Sequence, residues 1–253
     1  MIATFAPISL DHLVADAELL TRVDRKYLLP ASLLPDLLAR LPRDARVLEI
    51  DGRRDFGYRS VYFDTERLDS YLGAAHRRRR RFKVRIRTYL DTGARFVEIK
   101  TRGSRGTTIK TRFPYDGSGH DLGPAGRAHL DHVLTGAHIS PDGHTFQPVL
   151  ATGYRRHTLY LPGCGSRVTV DTDLTWSLPD GATLGMPGHV VLETKSGGGV
   201  SEVDRLLWRL RHRPASISKY ATGLAALRPE LPANRWHPIL HRHFSLRNRH
   251  ETA

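Results

Sequence analysis

Basic side chains occupy every second position in part of the stretch HRRRRRFKVRIRTYLDTGARFVEIKTR, residues 76–102. Lys83, Arg85 and Arg87 alternate there with apolar residues. Because successive side chains of a β-strand point to opposite faces, this spacing places all three cations on one face. The wet face of an ordinary hairpin carries mixed charges. A face made mostly of cations indicates a surface that binds a polyanion.

Other segments repeat this design. In TTIKTRF, residues 107–113, Lys110 and Arg112 share one face. Like charges packed so closely repel one another and destabilise a fold that has no ligand. The pattern therefore favours an anionic ligand over a solvated surface. The cations that follow it, on five predicted strands, are Lys26, Lys83, Arg85, Arg87, Lys100, Lys110, Arg112 and Lys195.

Four carboxylates lie on strands among these cations. A divalent metal that binds together with phosphates needs only one or two protein carboxylates, because water and phosphate oxygens fill its other positions. Glu193, in the segment LETK, is the favoured metal ligand, and Asp171 is the second candidate. We expect Glu98 and Asp173 to neutralise neighbouring lysines and arginines.

The composition agrees with an anionic partner. Among 253 residues, 39 Lys and Arg face 26 Asp and Glu, which gives a net charge of +13. The lone cysteine, Cys164, allows no disulfide within the chain and fits a reducing compartment. The N-terminus has no signal-peptide pattern, and no run approaches the roughly 20 apolar residues of a membrane span. We expect a cytoplasmic protein; the sequence identifies no membrane-protein partner.

The elements that must position these residues are short strands with hairpin connections and a few helices. Residues 76–102 predict two strands joined by a turn at 91–93, and residues 103–106 predict another turn. Helices are predicted at 9–20 and at 201–211, the second with a capping box of Ser201 and Asp204. Hairpins favour antiparallel strands, and inward-pointing charges suit a barrel wide enough for a charged ligand. The predicted fold is α+β, an antiparallel closed β-tunnel with flanking and capping helices.

Two basic segments lie outside this pattern. The run Arg77–Arg81 is most simply a solvated stretch that raises the electrostatic potential at a tunnel mouth. The segment 228–253 is a basic tail without a clear period, which we expect to be loosely ordered. Residues 1–227 are expected to form a single domain. No regulatory module is expected before residue 20.

Eight motifs in order make the chain resemble the VTC domain, the polyphosphate polymerase domain of the triphosphate tunnel (CYTH-like) superfamily. The resemblance covers residues 20–227, and no one motif would suffice for it. In one departure, Asp24 occupies a position where the family usually has glutamate. The motifs, as they occur in this sequence, are RVDRKYLL, YRSVYFDT, KVRIRTY, VEIKTR, GYRRHTLY, RVTVDTDL, VVLETK and SISKYATG.

The resemblance implies roles for individual residues. Glu193 would hold Mn²⁺ or Mg²⁺. In the pair Arg155–Arg156, the family motif and a period of two both select Arg156, provided that Tyr154 points inward. The catalytic cations would be Lys26, Arg85, Arg87, Lys100 and Lys195, and further phosphate contacts would come from Lys110, Tyr154, Arg156, Ser218 and Lys219.

Three functions follow from the same cations. In a polyphosphate polymerase, the γ-phosphate of ATP, or of another nucleoside triphosphate, is moved onto a growing polyphosphate chain. If water attacks instead, the protein is a tripolyphosphate or nucleoside triphosphate hydrolase. The third function is a non-catalytic module that binds polyphosphate or another acidic polymer. Specific nucleic-acid binding is not expected, because the cationic strands have few aromatic residues on which bases would stack.

Overall fold

The computed structural model describes residues 2–16, 23–102 and 108–244. They form an α+β fold with a large, mainly antiparallel sheet, as the alternating pattern predicts. The turn predicted at 103–106, the end of the helix predicted at 9–20 and the first residue of the RVDRKYLL motif lie outside the described residues.

Strands supply most of the regular structure. They are β1 (Ala6–Ile8), β2 (Val23–Pro30), β3 (Arg46–Leu48), β4 (Phe56–Thr65), β5 (Phe82–Tyr89), β6 (Arg95–Arg102), β7 (Thr108–Pro114), β8 (Phe146–Leu161), β9 (Ser166–Ser177), β10 (Thr183–Gly185) and β11 (His189–Ser196). The helices are α1 (Leu10–Asp16), α2 (Leu34–Ala39), α3 (Asp69–Ala75), α4 (Gly123–Gly136), α5 (Glu202–Arg209), α6 (Lys219–Leu227) and α7 (His237–His243). None of these helices is both long and apolar enough to cross a membrane.

The chain divides into two compact units. The first comprises Met1–Gly57, Tyr154–Leu174 and Met186–Ile217. The second comprises Tyr58–Gly153, Thr175–Gly185 and Ser218–Ala253. Their boundaries fall within β8 and β9, so each of these long strands contributes residues to both units.

The first unit is organised around β11. This strand pairs antiparallel with β2 on one side and with β9 on the other. Its register places Glu193 opposite Lys26. Val190 and Leu192, which alternate along β11 with Val191 and Glu193, point into an apolar core, where they pack with Leu206 and other residues of α5. One face of β11 is therefore fixed by burial, and the period of two directs the charged residues to the other face.

The second unit has the strand order β4-β5-β6-β7. The hairpin of β5 and β6 is confirmed: Tyr89 N donates to Ala94 O at 2.9 Å, and Gly93 closes the turn with a φ of +70°, which glycine adopts without strain. Val84 and Ile99 lie in an apolar core with residues of α4. Within each unit the described strands follow an open order, so closure into a tunnel remains a prediction.

Residues 228–244 are better ordered than the sequence suggests. Helix α7 lies within it, and Trp236 and Ile239 are buried. The ring of Trp236 packs against that of Tyr71, with centroids 5.6 Å apart. The expectation of loose order is therefore wrong for residues 228–244, because the tail carries apolar anchors that its lack of periodicity concealed.

Gly223, within α6, provides a test of the packing in the second unit. A Cβ at this position would overlap the indole ring of Trp176. We expect Gly223→Ala to lower the free energy of unfolding by about 1–3 kcal/mol, even though alanine favours a helix more than glycine does. Gly136→Ala in α4 is the matched control, because nothing lies within 4 Å of its Cβ. Urea denaturation of both variants measures the difference, and equal stability would contradict the packing.

Candidate functional site

Buried and half-buried charges form a cluster in the first unit. We call Lys26, Arg156, Asp171, Glu193 and Lys195 the Glu193 cluster. Lys195 Nζ lies 3.0 Å from Glu193 Oε2, and the side chains are only 10% and 15% exposed. Burial raises the pKa of Glu193, but the charges of Lys195, Lys26 and Arg156 outweigh it and hold that pKa well below its usual range. Burial lowers the pKa of Lys195 to about 8, against the opposing effect of Glu193.

Arg156 donates two hydrogen bonds to one carboxylate. Its Nη2 donates to Asp171 Oδ2 at 2.8 Å and its Nε to Asp171 Oδ1 at 2.5 Å. The guanidinium also lies 5.2 Å from the ring centroid of the buried Tyr154. Neighbouring Arg155 is exposed and pairs with Asp55. The period of two thus places Arg156, and not Arg155, on the half-buried face, and its phosphate contact remains a prediction. Both oxygens of Asp171, the second candidate metal ligand, accept hydrogen bonds from Arg156.

A second cluster lies in the other unit. We call Arg85, Arg87, Glu98 and Lys110 the Glu98 cluster. Glu98, 2% exposed, accepts hydrogen bonds from Arg85 Nε at 2.8 Å and from Lys110 Nζ at 2.5 Å. Arg87 Nε lies 3.8 Å from the same carboxylate. Burial raises the pKa of Glu98, but the three cations outweigh it and hold that pKa far below its usual range. One buried carboxylate thus neutralises only part of the charge around it.

Tyrosines of β4 support the arginines of the Glu98 cluster. Arg85 lies opposite Tyr62 in the sheet register and donates from Nη1 to its hydroxyl at 3.2 Å. Arg87 lies over the ring of Tyr58, 5.4 Å from its centroid. Such contacts fix the planes of the guanidinium groups. No local pattern in the sequence indicates a role for these two tyrosines, although both lie in the YRSVYFDT motif.

The other residues of the second unit that were predicted to bind phosphate lie on strand β6 and at the start of helix α6. Lys100 occupies the register row of Lys83 and Lys110 on three adjacent strands. Ser218 caps α6, and its Oγ accepts a hydrogen bond from Lys83 Nζ at 2.9 Å. Lys219 follows as the first residue of that helix. The phosphate contacts assigned to these residues remain predictions.

Asp173 does not have the position expected of a neutralising carboxylate. It is exposed at a φ of +52°, where it accepts a hydrogen bond from Thr172 Oγ1. Across residues 2–16, 23–102 and 108–244, no ion pair involves it. The period of two breaks at this left-handed residue and turns its side chain away from the face that the alternation assigned to it.

A buried aspartate of α5 joins the strands of the Glu193 cluster from their other face. Asp204 Oδ1 accepts hydrogen bonds from Tyr27 Oη and Thr194 Oγ1, each at 2.7 Å. Its Oδ2 accepts from the backbone and hydroxyl of Ser201 at 2.9 Å and from Arg25 Nη1 at 3.2 Å. The carboxylate that accepts all these hydrogen bonds is fully buried.

This network was missed by the sequence analysis, although its capping box of Ser201 and Asp204 was predicted and is confirmed. Tyr27 adjoins Lys26 on β2, and Thr194 lies between the two charged residues of β11. Asp204 therefore fixes both strands at the positions where they carry the cluster. No local pattern could have revealed contacts that span 177 residues of the chain.

Replacing Asp204 tests this network. We expect Asp204→Asn to lower the free energy of unfolding by about 2–4 kcal/mol, because the amide cannot satisfy all the donors and Arg25 loses its ion pair. Burial raises the pKa of Asp204, but its hydrogen bonds lower it below the ordinary value. This contribution is therefore present above the unfolded-state pKa and is lost as pH falls through the folded-state pKa. Asp180→Asn, at an exposed turn, is the control; equal unfolding curves would contradict the network.

The residues present fit a divalent metal only when phosphate supplies most of the ligands. Across the described parts of the chain, no three His, Cys, Asp or Glu side chains form a metal-binding group. A hard cation that binds together with phosphates needs only one protein carboxylate, and Glu193 can supply it. Of its two oxygens, Oε2 is the one that contacts Lys195.

The family model of the VTC domain matches residues 21–228, most of the chain. The chain therefore belongs to the VTC domain family. This result confirms the resemblance drawn from the eight motifs. Comparison with curated proteins finds no match.

Comparison with solved structures finds similar proteins at low sequence identity. The PH1819 protein from Pyrococcus horikoshii OT3 is 14% identical, with a TM-score of 0.46 over 82% of this chain and 98% of its own. HpAC1 from Hippeastrum, an adenylyl cyclase homologue described as having a dominant triphosphatase activity, is 15% identical, with a TM-score of 0.46 over 80% of this chain and 94% of its own.

Proposed function

We propose that this protein is a metal-dependent phosphotransferase of the polyphosphate polymerase type. The observation that carries the proposal is the excess of clustered cations over carboxylates in a chain of the VTC family. In the Glu98 cluster, three cations meet one carboxylate. A multiply charged phosphate is the ligand that would balance such an excess, and arginine binds its oxygens through paired N–H donors.

The proposed reaction is transfer of the γ-phosphoryl group of ATP or of another nucleoside triphosphate. A terminal oxygen of a polyphosphate chain attacks the γ-phosphorus in line. The bond from that phosphorus to the oxygen bridging to the β-phosphate breaks, and the nucleoside diphosphate, ADP when the donor is ATP, leaves with the electron pair. Such a reaction needs positioning and charge neutralisation rather than covalent help from the protein.

Individual residues have separate parts in this reaction. Lys26, Arg85, Arg87, Lys100 and Lys195 stabilise the charge of the transferring group. Further phosphate oxygens are bound by Lys110, Tyr154, Arg156, Ser218 and Lys219. Glu193 would hold Mn²⁺ or Mg²⁺, which supplies Lewis-acid polarisation of phosphoryl oxygens when bound.

One assay tests the proposal against its alternatives. Purified protein is incubated with ATP and Mn²⁺, and the products are resolved as long polyphosphate or free phosphate. Long chains are expected. Free phosphate alone would assign the protein to the hydrolases, and binding of polyphosphate without turnover would assign it to the non-catalytic modules. A chelator control, in which the product disappears, checks the requirement for metal.

A further inference from the structure

Arginines gather at the C-terminal end of α3, apart from the Glu193 and Glu98 clusters. We call Arg77, Arg78, Arg81, Arg102 and Arg235 the α3 arginine cluster. By its sequence alone, the run Arg77–Arg81 is most simply a solvated stretch. The structure adds arginines from two distant segments, so the cluster is a product of the fold and not only of a local run.

Hydrogen bonds to the backbone draw these residues together. Arg235 Nη1 donates to Ala74 O at 3.0 Å, across 161 residues of the chain. Arg81 Nη1 donates to Arg78 O at 2.9 Å, and Arg102 N donates to Arg81 O at 3.1 Å. The donors used in this way point at carbonyl groups, which carry no full negative charge.

The cluster has no carboxylate partner in the described part of the chain. None of its five arginines takes part in an ion pair there, and Arg235 Nε is buried without a hydrogen-bond acceptor. Burial and the charges of Arg102 and Arg235 lower the pKa of Arg81. Burial and the charges of Arg77 and Arg102 lower the pKa of Arg235. The cluster thus holds mutually repelling charges that an anion would relieve.

The end of α3 retains an arginine where a glycine would fit better. Arg78 N donates to Gly73 O at 2.9 Å and Arg77 N to Ala74 O at 3.3 Å, which is the Schellman pattern. Arg77 occupies the left-handed position of that motif, with a φ of +55°. Glycine adopts this conformation without strain, whereas arginine does not. A strained position that keeps a charged side chain indicates a use for that side chain.

We propose that the α3 arginine cluster is a second anion site, which binds inorganic polyphosphate outside the Glu193 and Glu98 clusters. The choice of polyphosphate rests on the proposed function. A membrane surface is disfavoured because membrane binding needs several apolar anchors, and Ile109, which follows the register partner of Arg102 on β7, is a single exposed apolar side chain. Single-stranded nucleic acid is disfavoured because Tyr71 and Trp236, the neighbouring aromatic residues, are buried and offer no stacking face.

The double substitution Arg77→Gly and Arg78→Gln tests the site without endangering the fold, because glycine suits the strained position. Binding of a length-defined inorganic polyphosphate is measured over a range of salt concentrations, with chelator and without nucleotide. We expect affinity to fall by about tenfold, and the slope of log K against log salt to fall by about 1 to 2. Arg205→Gln and Arg209→Gln on the exposed face of α5 remove the same charge and form the matched control.

Equal binding by the two double variants overturns the proposal, since only overall charge would then matter. The proposal is also overturned if the Arg77→Gly and Arg78→Gln variant loses binding to anionic vesicles or single-stranded DNA while its polyphosphate binding is unchanged. The ATP assay separates this proposal from the proposed function. A protein that makes no polyphosphate but whose polyphosphate binding needs Arg77 and Arg78 refutes the transfer reaction alone. A protein that makes polyphosphate yet binds it equally in both double variants refutes the second site alone.

Discussion

Glu193→Gln is expected to lower kcat/KM for polyphosphate synthesis by at least about 10²-fold, because the metal loses the one carboxylate assigned to it and its charge stabilisation is worth several kcal/mol. A second effect acts in the same direction. Glu193 raises the pKa of Lys195, so its loss leaves that lysine less protonated near neutral pH. Initial rates of polyphosphate formation at saturating Mn²⁺ measure the combined effect.

Two controls accompany this variant. Circular dichroism and thermal unfolding show whether the protein with glutamine at position 193 is folded at the assay temperature. Glu202→Gln, at the exposed start of α5, removes the same charge from the same unit and is expected to keep full activity. Metal-dependent turnover within about threefold of the parent protein would remove Glu193 from its assigned part in the reaction.

Glu98→Gln is expected to lower the free energy of unfolding by about 3–5 kcal/mol, since it leaves the buried Arg87, the half-buried Arg85 and Lys110 without their shared acceptor. Tripolyphosphate should restore part of this loss and should raise the melting temperature more in the variant than in the parent, because an anionic ligand replaces the missing charge. Urea denaturation with and without tripolyphosphate measures both effects.

The pH dependence gives an independent check on Glu98. Its pKa is lowered in the folded state, so its contribution to stability is present above the unfolded-state pKa of about 4.3 and is lost as pH falls below that value. Acidification should therefore destabilise the parent protein more steeply than the variant. Glu66→Gln, exposed in the same unit, should leave the curve unchanged. A loss below about 1 kcal/mol for Glu98→Gln would place this carboxylate among ordinary surface ion pairs.

The sequence was sufficient wherever a site depends on local periodicity. The turn at 91–93 sets the register of the β5–β6 hairpin, and that register places Arg85 opposite Glu98. The same alternation puts Glu193 and Lys195 on one face of β11. Apolar residues between the charges determine which face is buried, so the cationic faces follow from the pattern of side chains alone.

Contacts between distant segments could not be predicted in this way. Asp204 meets Tyr27 only because α5 packs on the face of β2 that is opposite Lys26. Arg235 contacts Ala74 because its neighbour in the chain, Trp236, is buried. Neither contact could be predicted, because the sequence around residue 235 shows no periodic pattern. Short edge strands such as β1 and β10 were missed for a related reason, since three residues are too few to show an alternation.

The lowered pKa of Lys195 has a consequence for the energetics of ligand binding. With a pKa of about 8, part of the Lys195 population is neutral in slightly alkaline solution. A phosphate anion that binds beside this amine favours its charged form and shifts its pKa upward. Binding then takes up protons from the buffer near pH 8. The heat of binding in calorimetry will accordingly vary with the ionisation enthalpy of the buffer, and apparent affinity will decline as the solution becomes more alkaline.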